Sequence, residues 1–271
     1  MTDEQRLLGL LDVAEAALAD FTTVVRAVPD ELWESPTDLA GWSVHDLVSH
    51  TAHLESVIAG GPEDTVAVPD GLPHVVSEMG VYTEQGVIAR RERSRAELLA
   101  EIESSAARRI AATRADPPSD GAGDPPYTPG GIGWSWNVLL SNRPLDVYMH
   151  EQDVRRAVDL AGNLDNAVSA HVVGIFGRGL GYVLGKRAGG TVGESVAVEI
   201  TGGPDIQVVV GDDGRGARAP EGTTPTTTLR MDTETFLVLS GGRRDPLTQT
   251  VEVTGDQDLG SRFLAAMNQT P

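Results

Sequence analysis

The chain has no cysteine and almost no lysine. Without cysteine, the protein can form no disulfide, no thiolate metal site and no cysteine nucleophile. Any thiol chemistry must therefore use a thiol supplied from outside. Lys186 is the only lysine among 21 lysine and arginine residues, a skew that is typical of GC-rich coding sequences.

Positive charge is scarce as well. The formal net charge is −19, and a field of that sign repels nucleic acid and anionic lipid. The densest basic stretch, Arg90–Arg95, is interrupted by Glu92 and followed by further acidic residues, as on a solvated helix face. We therefore expect no nucleic-acid partner and no membrane partner.

Long apolar runs are also missing. The longest ones fall short of the roughly 18 residues that a membrane span requires. The N-terminal segment has acidic residues before its apolar run and no basic region, so it indicates an amphipathic helix rather than a signal peptide. These features predict a cytoplasmic protein, either a monomer or a homodimer.

The first half of the chain has the apolar spacing of helices. The predicted helices cover 3–27, 43–59, 77–115, 135–159 and 166–186. Ser43 is a good N-cap for the second of these, with Asp46 as its capping-box partner. Pro144 lies inside the fourth and predicts a kink or a fresh helix start. The Pro/Gly-rich segment 117–133 is predicted to be a loop.

The pattern changes to alternating, β-branched runs in the last third. Strands are predicted at 195–202, 206–211, 226–231 and 250–255, with short helices at 232–239 and 256–267. The fold class is therefore α+β, a bundle of about four helices followed by a small α+β unit. The predicted domains are 1–188 and 189–271.

Helical geometry ranks the histidines on the second helix. Its apolar stripe runs through Val44, Leu47, Val48, Thr51, Leu54 and Ile58. At about 100° per residue, His50 lies at the edge of the core, whereas His45 and His53 are predicted to lie nearer solvent. His50 is therefore the best placed of the three to face a bundle interior.

A second candidate ligand pair lies on the 135–159 helix. Asp146 and His150 are four residues apart, so their side chains lie on one helix face. A carboxylate and two imidazoles suit zinc, and also iron, nickel or manganese. Three protein ligands would leave one position open for water or substrate. The alternative is that these residues are hydrogen-bonded structural groups or a surface pair.

Several motifs resemble one known family in the same order along the chain. They are PTDLAGWSVHDLVSHTAHLE (36–55), DVYMHEQDVRRAVDLAG (146–162), LSGGRRDP (239–246) and VTGDQDLGSRFLAAMNQTP (253–271). This set is similar to the mycothiol-dependent maleylpyruvate isomerase family. The resemblance implies a DinB-like four-helix bundle that binds metal, followed by a C-terminal domain similar to sterol-carrier folds.

The resemblance also implies a site and a chemistry. Its metal, most often zinc, would be bound by His50, Asp146 and His150, with aspartate where better-known members have glutamate. Mycothiol would be the thiol cosubstrate. The implied enzyme is an isomerase of the maleylpyruvate type, or a thiol S-transferase acting on a small electrophilic carboxylate. The alternatives are a DinB-like protein that binds metal and a small ligand without turnover, and a structural protein that has lost the metal.

Two arginines are candidates for binding anionic groups at such a site. Arg243, in the Gly-Gly-Arg turn of the second domain, is the predicted catalytic arginine that would reach the carboxylate of the substrate. Its alternative role is to cap the 232–239 helix. Arg143, one turn before Asp146, is predicted to bind the cosubstrate. Arg155 and Arg156 are predicted to pair with acidic residues of their own helix.

Overall fold

Two compact units make up the chain, Met1–Gly162 and Asn163–Pro271, in a computed structural model that describes residues 1–270. The first unit is helical and the second is α+β, so the predicted fold class is confirmed. Each unit has its own buried apolar core.

The first unit contains five α-helices. They are α1 (Asp3–Ala27), α2 (Val44–Ile58), α3 (Glu78–Ile88), α4 (Arg95–Ala115) and α5 (Trp136–Ala157). Helix α1 packs mainly against α5, while α2 packs against α3, α4 and α5. Helix α2 is therefore surrounded on most sides, and thirteen of its fifteen residues are buried.

The start of α2 is fixed by a capping box, as predicted. The Ser43 side chain accepts a hydrogen bond from the backbone N–H of Asp46, whose carboxylate accepts one from the N–H of Ser43. Two N–H groups that would otherwise lack partners are satisfied in this way. The box sets the residue at which α2 begins, and hence the direction in which each of its side chains points.

The prediction of one long helix over 77–115 is wrong. The chain leaves helical geometry between α3 and α4, and α4 restarts at a complete capping box formed by Ser94 and Glu97. Arg90, in the break, is almost fully buried and binds the carboxylates of Asp64 and Glu101. Asp64 and Glu101 are 26 and 11 residues away from Arg90 in the sequence, so a local pattern does not predict these contacts.

Helix α5 is continuous through Pro144, so the predicted fresh helix start does not occur. Proline removes one backbone hydrogen bond and crowds the preceding turn. The surrounding helix is buried along this stretch, and packing holds it in one piece. As a consequence, residues 143–153 keep regular helical spacing.

The second unit contains a five-stranded mixed sheet. Its strands are β1 (Ser195–Thr201), β2 (Ile206–Val210), β3 (Gly216–Arg218), β4 (Thr227–Asp232) and β5 (Glu252–Gly255), in the order β3-β2-β1-β4-β5. Strands β1 and β4 are parallel and the other neighbours are antiparallel. The four predicted strands are present, and the three-residue β3 was not predicted.

Three further helices pack in this unit: α6 (Ala167–Tyr182), α7 (Thr233–Ser240) and α8 (Gln257–Ala265). Glycines on α6 allow close contact with β3, because a Cβ built at Gly181 would lie 2.6 Å from the carbonyl oxygen of Gly216. Since α6 packs on β2 and β3, the compact units divide after Gly162. The sequence-based boundary at 188/189 placed this helix in the first domain.

One helical segment of the described residues, Ala167–Arg187, is long and apolar enough to cross a membrane by length and composition, contrary to the expectation that no apolar stretch reaches that length. Half of its most apolar window is buried against the protein. Such burial is typical of the core helix of a globular unit. The segment comprises α6 and a following π-helical turn.

Candidate metal site

His50 lies in the middle of α2 and is 4% exposed. Its Nε2 atom faces the carboxylate of Asp146 on α5, with Oδ2 at 3.6 Å. On the same face of α5, Nε2 of His150 lies 3.4 Å from Oδ1 of Asp146. The structure thus brings together the three residues that the sequence analysis selected, from two helices that pack against each other.

The geometry of the cluster fits a divalent metal. One possible ligand atom from each of the three residues lies within 4.8 Å of the others. Two ligands bound tetrahedrally to zinc at about 2.1 Å would lie about 3.4 Å apart, which is close to the two separations measured here. Two imidazoles and one carboxylate are a ligand set that zinc and its neighbours accept.

Solvent reaches the cluster at its carboxylate. The Asp146 side chain is 25% exposed, whereas those of His50 and His150 are 5% and 6% exposed. A fourth ligand would therefore approach beside Asp146. An accessible position of this kind distinguishes a reactive metal site from a closed structural one.

The imidazole rings are held by different means. Nδ1 of His150 lies 3.4 Å from Oδ2 of Asp153, a buried carboxylate one turn further along α5. A carboxylate behind a histidine is the usual support for a metal ligand. Nδ1 of His50, like that of His150, has no protein hydrogen-bond partner among residues 1–270. The His50 ring instead packs against Trp42, with ring centroids 5.0 Å apart.

Trp42 is in turn fixed by a buried glutamate. Its indole Nε1 donates a hydrogen bond of 2.8 Å to Glu84 on α3. The same carboxylate contacts Nε2 of His74 at 3.1 Å and accepts a hydrogen bond from Arg91 at 2.9 Å. The Trp42 ring also lies 6.3 Å from that of His150, so one indole contacts both histidines. The sequence analysis selected neither Trp42 nor Glu84 for this site.

The pKa values of the two histidines are shifted in opposite directions. Burial lowers the pKa of His50, and this outweighs the nearby Asp146 charge. At His150 burial acts in the same direction, but the neighbouring carboxylates of Asp146 and Asp153 raise the pKa. For Asp146 itself, burial opposes ionisation, yet His150 and Arg143 hold its pKa well below the usual range. Asp146 is therefore anionic throughout the neutral range.

Arg143 lies behind the cluster and not at its solvent-exposed side. It is 1% exposed, and its Nη1 donates a hydrogen bond of 2.5 Å to Oδ2 of Asp146. Its Nε and Nη2 lie 3.1 and 3.0 Å from Oε1 of Glu55. Direct binding of a cosubstrate, the role predicted from sequence, would require Arg143 to leave these partners.

Glu55 connects Arg143 to a second arginine. It is fully buried on α2, and its Oε2 accepts hydrogen bonds from Arg109 of α4 at 2.9 and 3.3 Å. Burial would raise the pKa of Glu55, but the two guanidinium charges lower it below the ordinary value. Arg109, Glu55, Arg143 and Asp146 form a buried chain of alternating charges that sums to zero. We call these four residues the charge chain.

Arg243 lies in the second unit, after α7. Its Nη1 donates hydrogen bonds to the carbonyl of Gly241 at 2.7 Å and to the hydroxyl of Thr270 at 3.3 Å. The contact with Gly241, the residue that ends α7, agrees with the capping alternative. Its catalytic role stays a prediction.

The expected positions of His45 and His53 are wrong, because both side chains are buried. His45 stacks on Trp33 and contacts Glu34. His53 packs against α3, where a Cβ built at Gly86 would lie 2.2 Å from its ring. A single apolar stripe predicts a helix with one buried face. In the structure, α3 and the segments flanking α2 cover a second face of this helix as well. His53 contacts Asp64 rather than the candidate metal cluster.

Burial of His53 predicts a pH-dependent stability. Burial, followed by the charges of Arg90 and His50, lowers its pKa to about 4 against the opposing effect of Asp64. The unfolded chain protonates this group near pH 6.5, so the unfolded state binds more protons between these two values. Stability contributed by neutral His53 is therefore complete above about pH 6.5 and decreases as the pH falls towards 4.

The test compares urea unfolding of the metal-free wild-type protein and His53→Gln at pH 7.5 and 5.0. Between these pH values the wild type is expected to lose about 2 kcal/mol more free energy of unfolding than the variant. His150 has a raised pKa and acts in the opposite direction, but it is present in both proteins. Equal losses in the two proteins would contradict the prediction.

Two buried residues of the charge chain were missed by the sequence analysis, although the sequence contains a signal for them. Glu55 lies four residues after Thr51 and therefore on the apolar stripe of α2. Arg109 likewise continues the buried series Leu98, Ile102, Ser105 on α4. A charged residue within an apolar stripe is almost never buried unless it is paired. Opposite charges on two such stripes therefore indicate a buried ion pair.

The fold and the cluster together define a class of protein: a helical unit with a two-histidine, one-carboxylate candidate metal site, joined to an α+β unit. Residues 14–155 match the family described as mycothiol maleylpyruvate isomerase N-terminal domain. Residues 168–262 match the C-terminal domain of the same family. The chain belongs to the mycothiol maleylpyruvate isomerase family, an enzyme family, as its motifs predicted.

Two solved structures are similar to the chain. A crystal structure of the mycothiol-dependent maleylpyruvate isomerase is 15% identical, with a TM-score of 0.58, covering 94% of this chain and 96% of that one. A histidine-to-alanine mutant of the mycothiol-dependent maleylpyruvate isomerase is 14% identical, with a TM-score of 0.55 and the same coverage. At this identity the likeness establishes the fold. No curated protein matches the chain.

Proposed function

We propose that the protein is a divalent-metal-dependent enzyme that uses mycothiol as its thiol cosubstrate. The proposed reaction is isomerisation of the maleylpyruvate type, or thiol transfer to a small electrophilic carboxylate. The observation that carries this proposal is the convergence of two imidazole nitrogens on the Asp146 carboxylate, in a chain of this family. Zinc is the expected metal, because the ligand set suits it.

His50, Asp146 and His150 would hold the metal, which when bound would lower the pKa of a thiol so that a thiolate exists near neutral pH. The protein's own residues prepare the surroundings. The Trp42 ring packs against both imidazole rings. The Asp146 side chain is partly exposed, so solvent reaches the cluster at this residue. The chain has no cysteine, so no internal thiol competes with the cosubstrate.

A small carboxylate substrate also requires a positively charged group to bind it. Arg143 is committed to Glu55 and Asp146. Arg243 is the proposed carboxylate-binding residue.

The test measures metal content and turnover on the same protein. After expression with added zinc, we expect about one divalent ion per chain by elemental analysis. With mycothiol added, we expect turnover of maleylpyruvate that disappears when the thiol is omitted. Stoichiometric metal with no mycothiol-dependent reaction on this or related electrophilic carboxylates would favour the second candidate, a protein that binds metal and a small ligand without turnover.

A further inference from the structure

We propose that Arg143 is a positioning residue for Asp146, and that Glu55 holds Arg143 in the orientation required for this role. The inference depends on the proposed metal site and extends it to two residues that would not contact the metal. It replaces the cosubstrate-binding role predicted for Arg143 from sequence.

The contact between Arg143 and Asp146 fixes the orientation of the carboxylate. The two residues are three apart on α5, and the 2.5 Å hydrogen bond engages Oδ2 of Asp146. With Oδ2 held there, Oδ1 faces His150 at 3.4 Å. A carboxylate that is a quarter exposed would otherwise be free to rotate towards solvent. Arg143 therefore keeps the carboxylate between the two imidazoles.

Arg143 is itself immobilised by burial and by Glu55. Both side chains are almost completely buried, and two guanidinium nitrogens of Arg143 face the same oxygen of Glu55. Arg109 binds the other oxygen of Glu55 from α4. The orientation of Asp146 on α5 thus depends on contacts from α2 and α4. A planar guanidinium with fixed donor directions suits this linkage better than an ammonium group.

The charge of Arg143 does not by itself explain why this arginine lies beside the candidate metal ligand Asp146. A cation beside a metal ligand would by itself weaken the binding of another cation. Here the positive charge of Arg143 is offset by Glu55, and the whole charge chain sums to zero. Removal of Arg143 leaves the other three residues with a net charge of −1, which by charge alone would favour binding of a cation. Weaker metal binding in the variant would therefore report loss of carboxylate orientation and not the change in charge. Supporting contacts of this kind typically change metal affinity ten- to hundredfold.

The experiment titrates the metal-free protein with Co²⁺, whose visible absorption reports ligand geometry and whose binding gives an affinity without an activity assay. Arg143→Met is expected to weaken Co²⁺ binding by about ten- to hundredfold and to alter the spectrum. Glu55→Gln, which keeps the shape of the side chain, is expected to weaken binding in the same direction by a smaller factor.

The double variant Arg143→Met/Asp146→Asn distinguishes a role of Arg143 in positioning Asp146 from a general disturbance of the fold. The Asp146→Asn side chain keeps an oxygen that can act as a weak third ligand, so Co²⁺ binding remains measurable at high metal concentration. If Arg143 acts through Asp146, its removal should change the affinity of the Asp146→Asn protein by no more than about twofold. Arg155→Met is the matched control, because it removes the same charge from α5. Arg155 binds Glu151 and the carbonyl of Leu160, so its removal should leave Co²⁺ affinity unchanged.

Circular dichroism and urea unfolding of each metal-free variant establish that it is folded. If Arg143→Met does not fold, Arg143→Lys and Glu55→Gln provide the test, since each keeps a polar group at its position. Wild-type affinity and spectrum in the folded variants would overturn the inference and leave the metal site intact. Equal weakening with and without Asp146 would also overturn it. Failure of the wild-type protein to bind Co²⁺ would overturn the metal site and the inference together.

Discussion

His150→Ala is expected to reduce bound metal from about one ion per chain to near zero. Removal of this imidazole leaves His50 and Asp146, and two protein ligands do not hold zinc in an open site that normally has three. If the enzyme has the proposed activity, turnover should fall by at least about a hundredfold, because metal chemistry contributes several kcal/mol to such reactions. Elemental analysis after chelator treatment and zinc reloading measures the first effect, and steady-state kinetics the second.

His45→Ala is the matched control for this prediction. His45 is a buried histidine on α2, but its ring contacts Trp33 and Glu34 rather than the cluster. The control should retain the metal while losing a comparable amount of packing. Full metal occupancy in folded His150→Ala would contradict the assignment of this residue as a ligand.

Glu55→Ala is expected to lower the free energy of unfolding by about 3–5 kcal/mol. The substitution leaves Arg109 and Arg143 buried without their shared carboxylate, and breaking one side of a buried ion pair has a cost of this size. The loss should be present at neutral pH, where Glu55 is ionised in the folded protein. Urea unfolding of the metal-free proteins measures it without a contribution from metal binding.

Glu103→Ala provides the comparison for a surface pair. Glu103 of α4 also pairs with an arginine, Arg26 of α1, but both side chains are about half exposed. Pairs of this kind contribute about 0–1 kcal/mol. If the two variants lost a similar free energy of unfolding, burial would not be the reason why the contacts of Glu55 stabilise the protein.

The local elements of the fold were predictable where a cap or a period fixes them. Ser43 and Asp46 mark the start of α2, and Asp232 and Asp256 mark the starts of α7 and α8. The break between α3 and α4 was missed because the residues before Ser94 are compatible with helix, although Ser94 and Glu97 have the spacing of the capping box that starts α4. Distant carboxylates that bind Arg90 favour the break. Strand β3 was missed because a three-residue edge strand, Gly-Ala-Arg, has no recognisable period.

Two of the three candidate ligands are placed together by helix geometry alone. Asp146 and His150 are four residues apart, so one helix places them together whatever surrounds it. The pairing with His50 depends on how α2 packs against α5. The apolar stripe of α2 placed His50 at the edge of the core, and the resemblance to a family strengthened the prediction of that pairing. The burial of His45 and His53 could not be predicted from the stripe, because it depends on α3 and flanking segments covering a second face of α2.

The continuity of α5 also limits which changes the site can tolerate. Arg143, Asp146, His150 and Asp153 share one helix face at intervals of three and four residues. Replacement of Asp146 by a longer acid alters one ligand, whereas deletion of one residue within 144–152 would rotate part of this set by about 100°. We therefore expect lineages of this enzyme to accept exchanges of residue type at these positions far more readily than insertions or deletions between them.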